Sequence, residues 1–415
     1  MSAPFESMGE ATGAVCVDGV CAVPRPDATP AGPEIVPFRV EITDDQVADL
    51  RDRLARTRWP DAETVDDWSQ GVPLSYLREV CGYWQHDYDM QRVARRLNAV
   101  TQFVTTIDGL DIHFIHVRSP HANAVPLVLT HGWPTSVLDF VDLVGPLTDP
   151  VAHGADAADA FHVVIPSLPG YGFGSKPTGT GWGVERIADA WAELMTRLGY
   201  DRFVALGGDW GAAVSTQLAV RHGDRIAGVT LNFALPPRGD TGQPTADELA
   251  ELERFGRLGA QGTGYAVQQS TRPQTLGYGL ADSPAAQCAW IIEKFSAWSD
   301  ADGGNPEAAF SRDVLLDNVM VYWLNATAVS SARLYWESFG TTFGAAAQDV
   351  AITAPTAYTA YPSDVYAPSE RLARIRFANL RHYARAPRGG HMPSLEVPDL
   401  FLADVRAGVR AFELR

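Results

Sequence analysis

Lysine is almost missing from this sequence: Lys176 and Lys294 are the only two in 415 residues. Arginine therefore carries nearly all of the 33 basic residues, against 50 acidic ones, for a net charge of −17. No basic cluster is present, which excludes a duplex nucleic-acid binder, because such a protein needs a positive face for its phosphate contacts. Long apolar runs are absent too; none reaches the roughly 18 residues that a membrane-spanning helix requires. The opening MSAPFESMGEATGAV lacks the basic start and apolar centre of a secretory signal. Four cysteines are too few for a disulfide framework. Cys81 and Cys288 fall in helix-like surroundings, where a thiol behaves as a small buried hydrophobe. Cys16 and Cys21 flank a VDGV turn with no further Cys or His pair nearby, so a solvated linker is favoured there over a metal site. These absences point to a soluble, cytoplasmic protein. What is present, 46% hydrophobic and 20% charged residues, is a globular composition that excludes disorder throughout.

Texture divides the chain into five stretches. Residues 1–34, rich in Ala, Gly and Pro and without periodicity, read as a disordered tail. Residues 35–100 read as an N-terminal helical arm. PFRVEI suggests a short strand, and Thr43 then caps a helix with Val47, Leu50 and Leu54 on one face, which RWPDAE ends. Two more helices are expected, Leu74 to Gln85 and Asp89 to Ala99. Their apolar positions are too few for a separate core, so the arm must pack on something larger. From 101 to 235 strands and helices alternate. FVTTIDGLDIHFIHVRS reads as a hairpin turning at Asp108-Gly109. VPLVLT, FHVVIP, RFVALG and RIAGVTL are continuous apolar runs separated by amphipathic helices, the pattern of a mostly parallel sheet flanked by helices. From 236 to 345 the alternation gives way to an aromatic-rich helical stretch, read as an inserted helical lid. Residues 346–415 return to the core with two strands, APTAYTAY and FANLRHYAR, and a last helix from about Pro398. Small-molecule sites form at such junctions, beyond the carboxyl ends of the strands.

Gly207-Gly208-Asp209-Trp210-Gly211 has the form G-x-nucleophile-x-G, placed between an apolar strand and an Ala-rich helix. A sharp turn there lifts one side chain above the sheet, and small neighbours let the backbone approach itself. Standing alone, the pentad would better describe an Asp helix cap, and its place after an apolar strand and before an Ala-rich helix reverses that preference. A carboxylate nucleophile suits a saturated electrophilic carbon, as in an epoxide or an alkyl halide, because the product is an ordinary ester that water can cleave. Attack on an acyl carbonyl would give a mixed anhydride, which disfavours an esterase or lipase. Cleaving the ester needs a base, and His391 in RGGHMP follows the last strand. It also needs a carboxylate to orient that imidazole. Asp364 in YPSD is the first choice, ahead of Glu370 and Glu337, with a turn or cap as its plain structural alternative. His131-Gly132-Trp133-Pro134 ends the strand VPLVLT. In this arrangement the N–H groups of Trp133 and Trp210 would form an oxyanion hole, while His131 reads as structural.

PFRVEITDDQVADLRDRLARTRWPD, GVPLSYLREVCGYW, HGWPTS, GGDWG, SSARLYWES and RGGHMPSLEVPDL, in that order, resemble segments of the α/β-hydrolase-fold epoxide hydrolases of the microsomal type, over roughly residues 36–400. The resemblance implies Asp209 as nucleophile, His391 as base and Asp364 as its acid partner, although the microsomal type often carries Glu in place of Asp364. It also implies two lid tyrosines that bind the epoxide oxygen and the substrate, Tyr335 in SSARLYWES and Tyr265 in GTGYAVQQSTRP. On residue pattern alone both would be lid core. Trp133 and Trp210 would line the substrate as well. No metal or cofactor is expected. The expected partners are an epoxide, water and, for assembly, a second copy in a homodimer. A polar tail stands where vertebrate members carry a membrane anchor. The substrate would be bulky and apolar, an intermediate of secondary metabolism such as an enediyne precursor or a compound to be detoxified. The alternatives are a haloalkane dehalogenase, with Trp210 beside the same nucleophile, and a catalytically silent hydrolase scaffold that binds a ligand.

Overall fold

The computed structural model describes residues 34–301, 304–344 and 352–414. Before residue 34 it describes only the backbone of an antiparallel ribbon, β1 (Val15–Val17) and β2 (Val20–Ala22), with Cys16 opposite Cys21. Two paired strands thus stand within the stretch expected to be a disordered tail; the rest of that tail lies outside the described residues.

Among the described residues nine strands form one sheet. They are β3 (Val36–Phe38), β4 (Gln102–Ile107), β5 (Leu110–Val117), β6 (Val125–Thr130), β7 (Phe161–Pro166), β8 (Phe203–Gly207), β9 (Ile226–Leu231), β10 (Thr356–Ala360) and β11 (Leu380–Arg385). Their spatial order is β11-β10-β9-β8-β6-β7-β5-β4-β3, an α/β-hydrolase sheet. Every pair from β11 to β7 is parallel, and β5, β4 and β3 add on antiparallel. The expected hairpin turns at Asp108 and Gly109 with φ +51° and +75°, the conformation that two-residue hairpins favour. Every residue of β8, β9 and β10 is buried, so both faces of the central sheet are covered, as continuous apolar runs require.

The arm contains α1 (Asp44–Ala55), α2 (Leu74–His86) and α3 (Arg92–Asn98). Thr43 and Gln46 form a reciprocal cap at the start of α1. Helix α1 ends at Ala55, ahead of Trp59-Pro60. Two boundaries differ from expectation. Strand β3 stops at Phe38, because the Val40 N–H donates to the Asn98 side chain and the Val40 carbonyl accepts from it. Helix α3 starts late, since the Asp89 carboxylate accepts from the Gln91 N–H and holds a turn there.

Helices α4 (Val144–Thr148), α5 (Val184–Arg197) and α6 (Asp209–Arg221) follow strands of the sheet. On α5 Ile187, Trp191 and Leu194 are buried, and the Trp191 indole donates to the Thr130 hydroxyl at the end of β6, 3.1 Å away. Between β9 and β10 comes a helical insertion: α7 (Ala246–Gly262), α8 (Gly264–Thr271), α9 (Pro273–Asp282), α10 (Pro284–Ala297), α11 (Arg312–Leu324) and α12 (Ala328–Thr342). The chain finishes with α13 (Glu370–Arg376), α14 (Pro393–Glu396) and α15 (Pro398–Arg410). The arm leans on the insertion. The Asp317 carboxylate of α11, fully buried, accepts from the Tyr88 hydroxyl at 2.6 Å, Arg92 at 3.0 Å and Arg96 at 2.6 Å. Cys81 of α2 and Cys288 of α10 are buried free thiols. No helix among the described residues is long and apolar enough to cross a membrane.

Candidate active site

Asp209 is the first residue of α6, directly beyond β8. Its φ of +48° is a left-handed conformation that costs a non-glycine residue energy and persists only where the surroundings enforce it. Close packing enforces it here. A Cβ on Gly207 would lie 2.2 Å from the Gly211 carbonyl carbon, and one on Gly211 would lie 1.8 Å from the Thr130 oxygen. Strand end, turn and helix start therefore interlock, and the Asp209 side chain is lifted off the sheet.

The carboxylate meets two of the residues singled out in the sequence. The Trp133 N–H donates to Asp209 Oδ1 at 2.8 Å, and His391 Nε2 lies 3.4 Å from Oδ2. The other expected donor, the Trp210 N–H, makes no hydrogen bond to this carboxylate. On the far side of the imidazole, His391 Nδ1 lies 2.6 Å from Asp364 Oδ1. Asp364 is fully buried, so it is no surface turn residue, and its Oδ1 also accepts from the Val365 N–H at 2.6 Å. The shorter aspartate thus reaches the ring. The alternatives lie elsewhere: Glu337 accepts from the Gly181 N–H, and Glu370 pairs with Arg374. His131 is buried and structural as expected, its Nε2 accepting from the Leu168 N–H at 3.2 Å.

Backbone bonds fix the His391 loop. The His391 N–H donates to the Trp298 carbonyl at 2.7 Å, and the Gly390 N–H donates to Glu396 Oε2 at 2.7 Å. Burial alone would make the imidazole a weaker base, but the carboxylates of Asp364 and Asp209 on either side outweigh that and raise its pKa to about 10.

Across from Asp209 the insertion contributes Tyr265 from α8 and Tyr335 from α12. Their rings meet at 5.7 Å, centroid to centroid, and both pack on Trp133: Tyr265 stacked at 5.0 Å, Tyr335 edge-on at 5.9 Å. Tyr335 also meets the Trp210 ring at 4.8 Å. The Tyr335 hydroxyl is buried and has no hydrogen-bond partner within the protein. Burial first pushes both phenols above their ordinary pKa, followed by the negative charge of Asp209 for Tyr265 and by Tyr265 and then Asp209 for Tyr335, so each stays a protonated donor. The seven residues singled out in the sequence therefore converge.

Three neighbours carry weight that sequence reasoning missed. Trp298 lies edge-on to both Tyr265 and His391. The buried Lys294 ammonium sits 4.5 Å from the Tyr265 ring centroid. Asp139 lines a small cavity shared with His131, Trp133, Asp209, Asn232 and His391. One signal was available for it, an acidic residue inside the apolar run Val137-Leu138-Asp139-Phe140-Val141.

Comparison with known proteins gives a consistent result. Residues 35–140 match the family described as epoxide hydrolase N terminus, and residues 125–324 match the alpha/beta hydrolase fold. A putative epoxide hydrolase of Stigmatella aurantiaca is 47% identical over 374 residues, covering 90% of this chain and 84% of that one. Epoxide hydrolase 1 of Oryctolagus cuniculus is 35% identical over 411 residues, covering 92% and 90% respectively. Among solved structures, the juvenile hormone epoxide hydrolase of the silkworm Bombyx mori superposes with a TM-score of 0.84 at 30% identity, covering 92% of this chain and 95% of that one.

Proposed function

From the premise that this chain belongs to the epoxide hydrolase family, we propose that it works through a covalent ester on Asp209. The observation that supports this most is the line Asp364–His391–Asp209, with the buried Tyr335 and the partly buried Tyr265 close enough to feel the Asp209 charge. Asp209 Oδ1 is held by the Trp133 N–H, which leaves Oδ2 to attack. Tyr265 and Tyr335 donate to the epoxide oxygen as the C–O bond breaks and charge gathers there. Oδ2 joins the ring carbon, the alkoxide takes its proton from a tyrosine hydroxyl, and a hydroxyalkyl ester results.

Ester formation also changes His391. While Asp209 is charged, two carboxylates hold the imidazole in its protonated form. Alkylation removes one of those charges, so the imidazolium gives up its proton, which replaces the one the tyrosine hydroxyl passed to the alkoxide, and the neutral ring is freed to act as a base. Water then passes a proton to His391 Nε2 while its oxygen adds to the Asp209 carbonyl carbon. The negative charge collects on Oδ1, against the Trp133 N–H; each oxyanion donor of this kind contributes about 3 kcal/mol. The Trp210 N–H joins as the second donor once the tetrahedral geometry forms. Collapse releases the vicinal diol and restores the carboxylate. The walls of Trp133, Trp298 and Tyr265 favour a bulky apolar epoxide, from secondary metabolism or from detoxification.

The test is intact-mass analysis of His391→Gln after incubation with styrene oxide and, separately, with a bromoalkane. The expected result is a gain equal to the whole epoxide, mapped by peptide digestion to Asp209, with no gain from the bromoalkane. A gain equal to the alkyl group without its halogen would support a dehalogenase. No adduct from a broad panel of either would remove the covalent mechanism.

A further inference from the structure

One carboxyl beside the reacting atoms has no part in the steps above. Asp139 ends a short 3-10 turn, Val137–Asp139, whose start is capped by the Ser136 side chain. The residue is more than nine-tenths buried, at 7% exposure. Its two oxygens are treated differently. Oδ2 accepts from the Thr135 hydroxyl at 2.5 Å, whereas Oδ1 is buried with no partner in the protein. Asp139 shares the lining of one cavity with Asp209 and His391. The cavity measures about 30 Å³, and roughly 10–15 Å³ suffices for one water. A buried oxygen acceptor in a polar cavity of that size is a place for ordered water.

Building on the covalent reading, we infer that Asp139 positions the hydrolytic water: Oδ1 accepts one of its O–H bonds, His391 Nε2 accepts the other, and an oxygen lone pair is aimed at the Asp209 carbonyl carbon. In the step itself the O–H facing His391 breaks as the new C–O bond forms. The second hydrogen stays on oxygen, so Asp139 gains no proton.

The arrangement works in either protonation state. As a carboxylate, Asp139 accepts from Thr135 through Oδ2 and from water through Oδ1. As an acid, it carries its proton on Oδ2 toward Thr135, whose hydroxyl turns to the Gly132 carbonyl 3.4 Å away, and Oδ1 still accepts. Desolvation raises this carboxyl to about 7, with the charge of Asp209 adding to the rise and His391 opposing it, so both states are accessible near neutrality. Asp209 and His391 are the charged groups that face it across the cavity.

Single-turnover mixing with styrene oxide, quenched for intact mass, reads ester formation and ester decay separately. In Asp139→Leu, formation should stay within about threefold of wild type while decay slows about 10- to 100-fold, the scale of a misplaced reactant. The ester then accumulates in steady state, and kcat and KM fall together. Asp139→Asn, whose amide oxygen can face the cavity while its NH2 faces Thr135, should restore decay to within about fivefold. If the leucine variant does not fold, Thr135→Val serves: loosening Oδ2 should slow decay alone, by a few fold. Equal slowing of both half-reactions, or no accumulation of ester, overturns the role. Absence of any ester in His391→Gln would instead mark failure of the covalent reading beneath it.

Discussion

The two walls of the site are built on opposite plans. On the sheet side, Asp364, His391 and Asp209 are joined end to end, and Trp133 and Val365 N–H groups hold the carboxylates. On the helical side, Tyr265 and Tyr335 are held by ring contacts, and the Tyr335 hydroxyl bonds to nothing in the protein. Because an uncompensated buried charge is costly, the sheet side compensates its stored charge through His391, leaving only Asp364 Oδ2 without a partner among these carboxylate oxygens. The helical side presents neutral donors and can leave the Tyr335 hydroxyl unsatisfied at lower cost, free for the oxygen that turns negative in the proposed reaction. The two carboxylates are thus bonded to the imidazole between them, whereas the Tyr335 hydroxyl is left without a bond.

Substitutions on the two walls should therefore move stability in different directions. The largest effect is expected for Asp364→Ala: turnover should fall about 10⁴-fold, as when a catalytic histidine loses its orienting carboxylate. The fold should weaken by about 3 kcal/mol, because a buried partner of His391 is removed. Diol formation and chemical denaturation check the two parts. Next come Tyr335→Phe and Tyr265→Phe, each expected to slow ring opening about 100-fold in single-turnover assays. For Tyr335→Phe the melting temperature should hold or rise, since the lost hydroxyl had no protein partner. A loss of stability matching that of Asp364→Ala would erase the contrast between the walls.

The smallest effect concerns pH. The His391 pKa is raised on folding to about 10, from an unfolded value near 6.5. Its contribution to stability is therefore complete below about pH 6.5 and is lost as pH rises toward 10. Melting temperatures across that window should decline more in wild type than in His391→Gln. Parallel curves would mean that the imidazole is not held charged between its two carboxylates.

The sheet side was the more legible in sequence, for a physical reason. Its residues are announced by backbone constraints: Gly207 and Gly211 by close approach, and each strand end by an apolar run that stops. The tyrosines carry no such mark. Nothing local separates Tyr335, at 1% exposure, from a lid core residue, and only resemblance to a family singled it out. Asp139, Lys294 and Trp298 meet the site through residues distant in sequence, so pattern alone could not pair them with it. Boundaries failed where a side chain captured the backbone, as Asn98 does at Val40.

The clamp at Asp317 has a consequence for the helical wall. Three donors from the arm converge on one carboxylate of the helical insertion, and the Trp84 indole adds a contact to Met320 on the same helix. An insertion bolted from behind is not a flap on a hinge. Loosening that clamp, as in Asp317→Asn, would free the arm from α11 and with it the backing of the helices that carry Tyr265 and Tyr335.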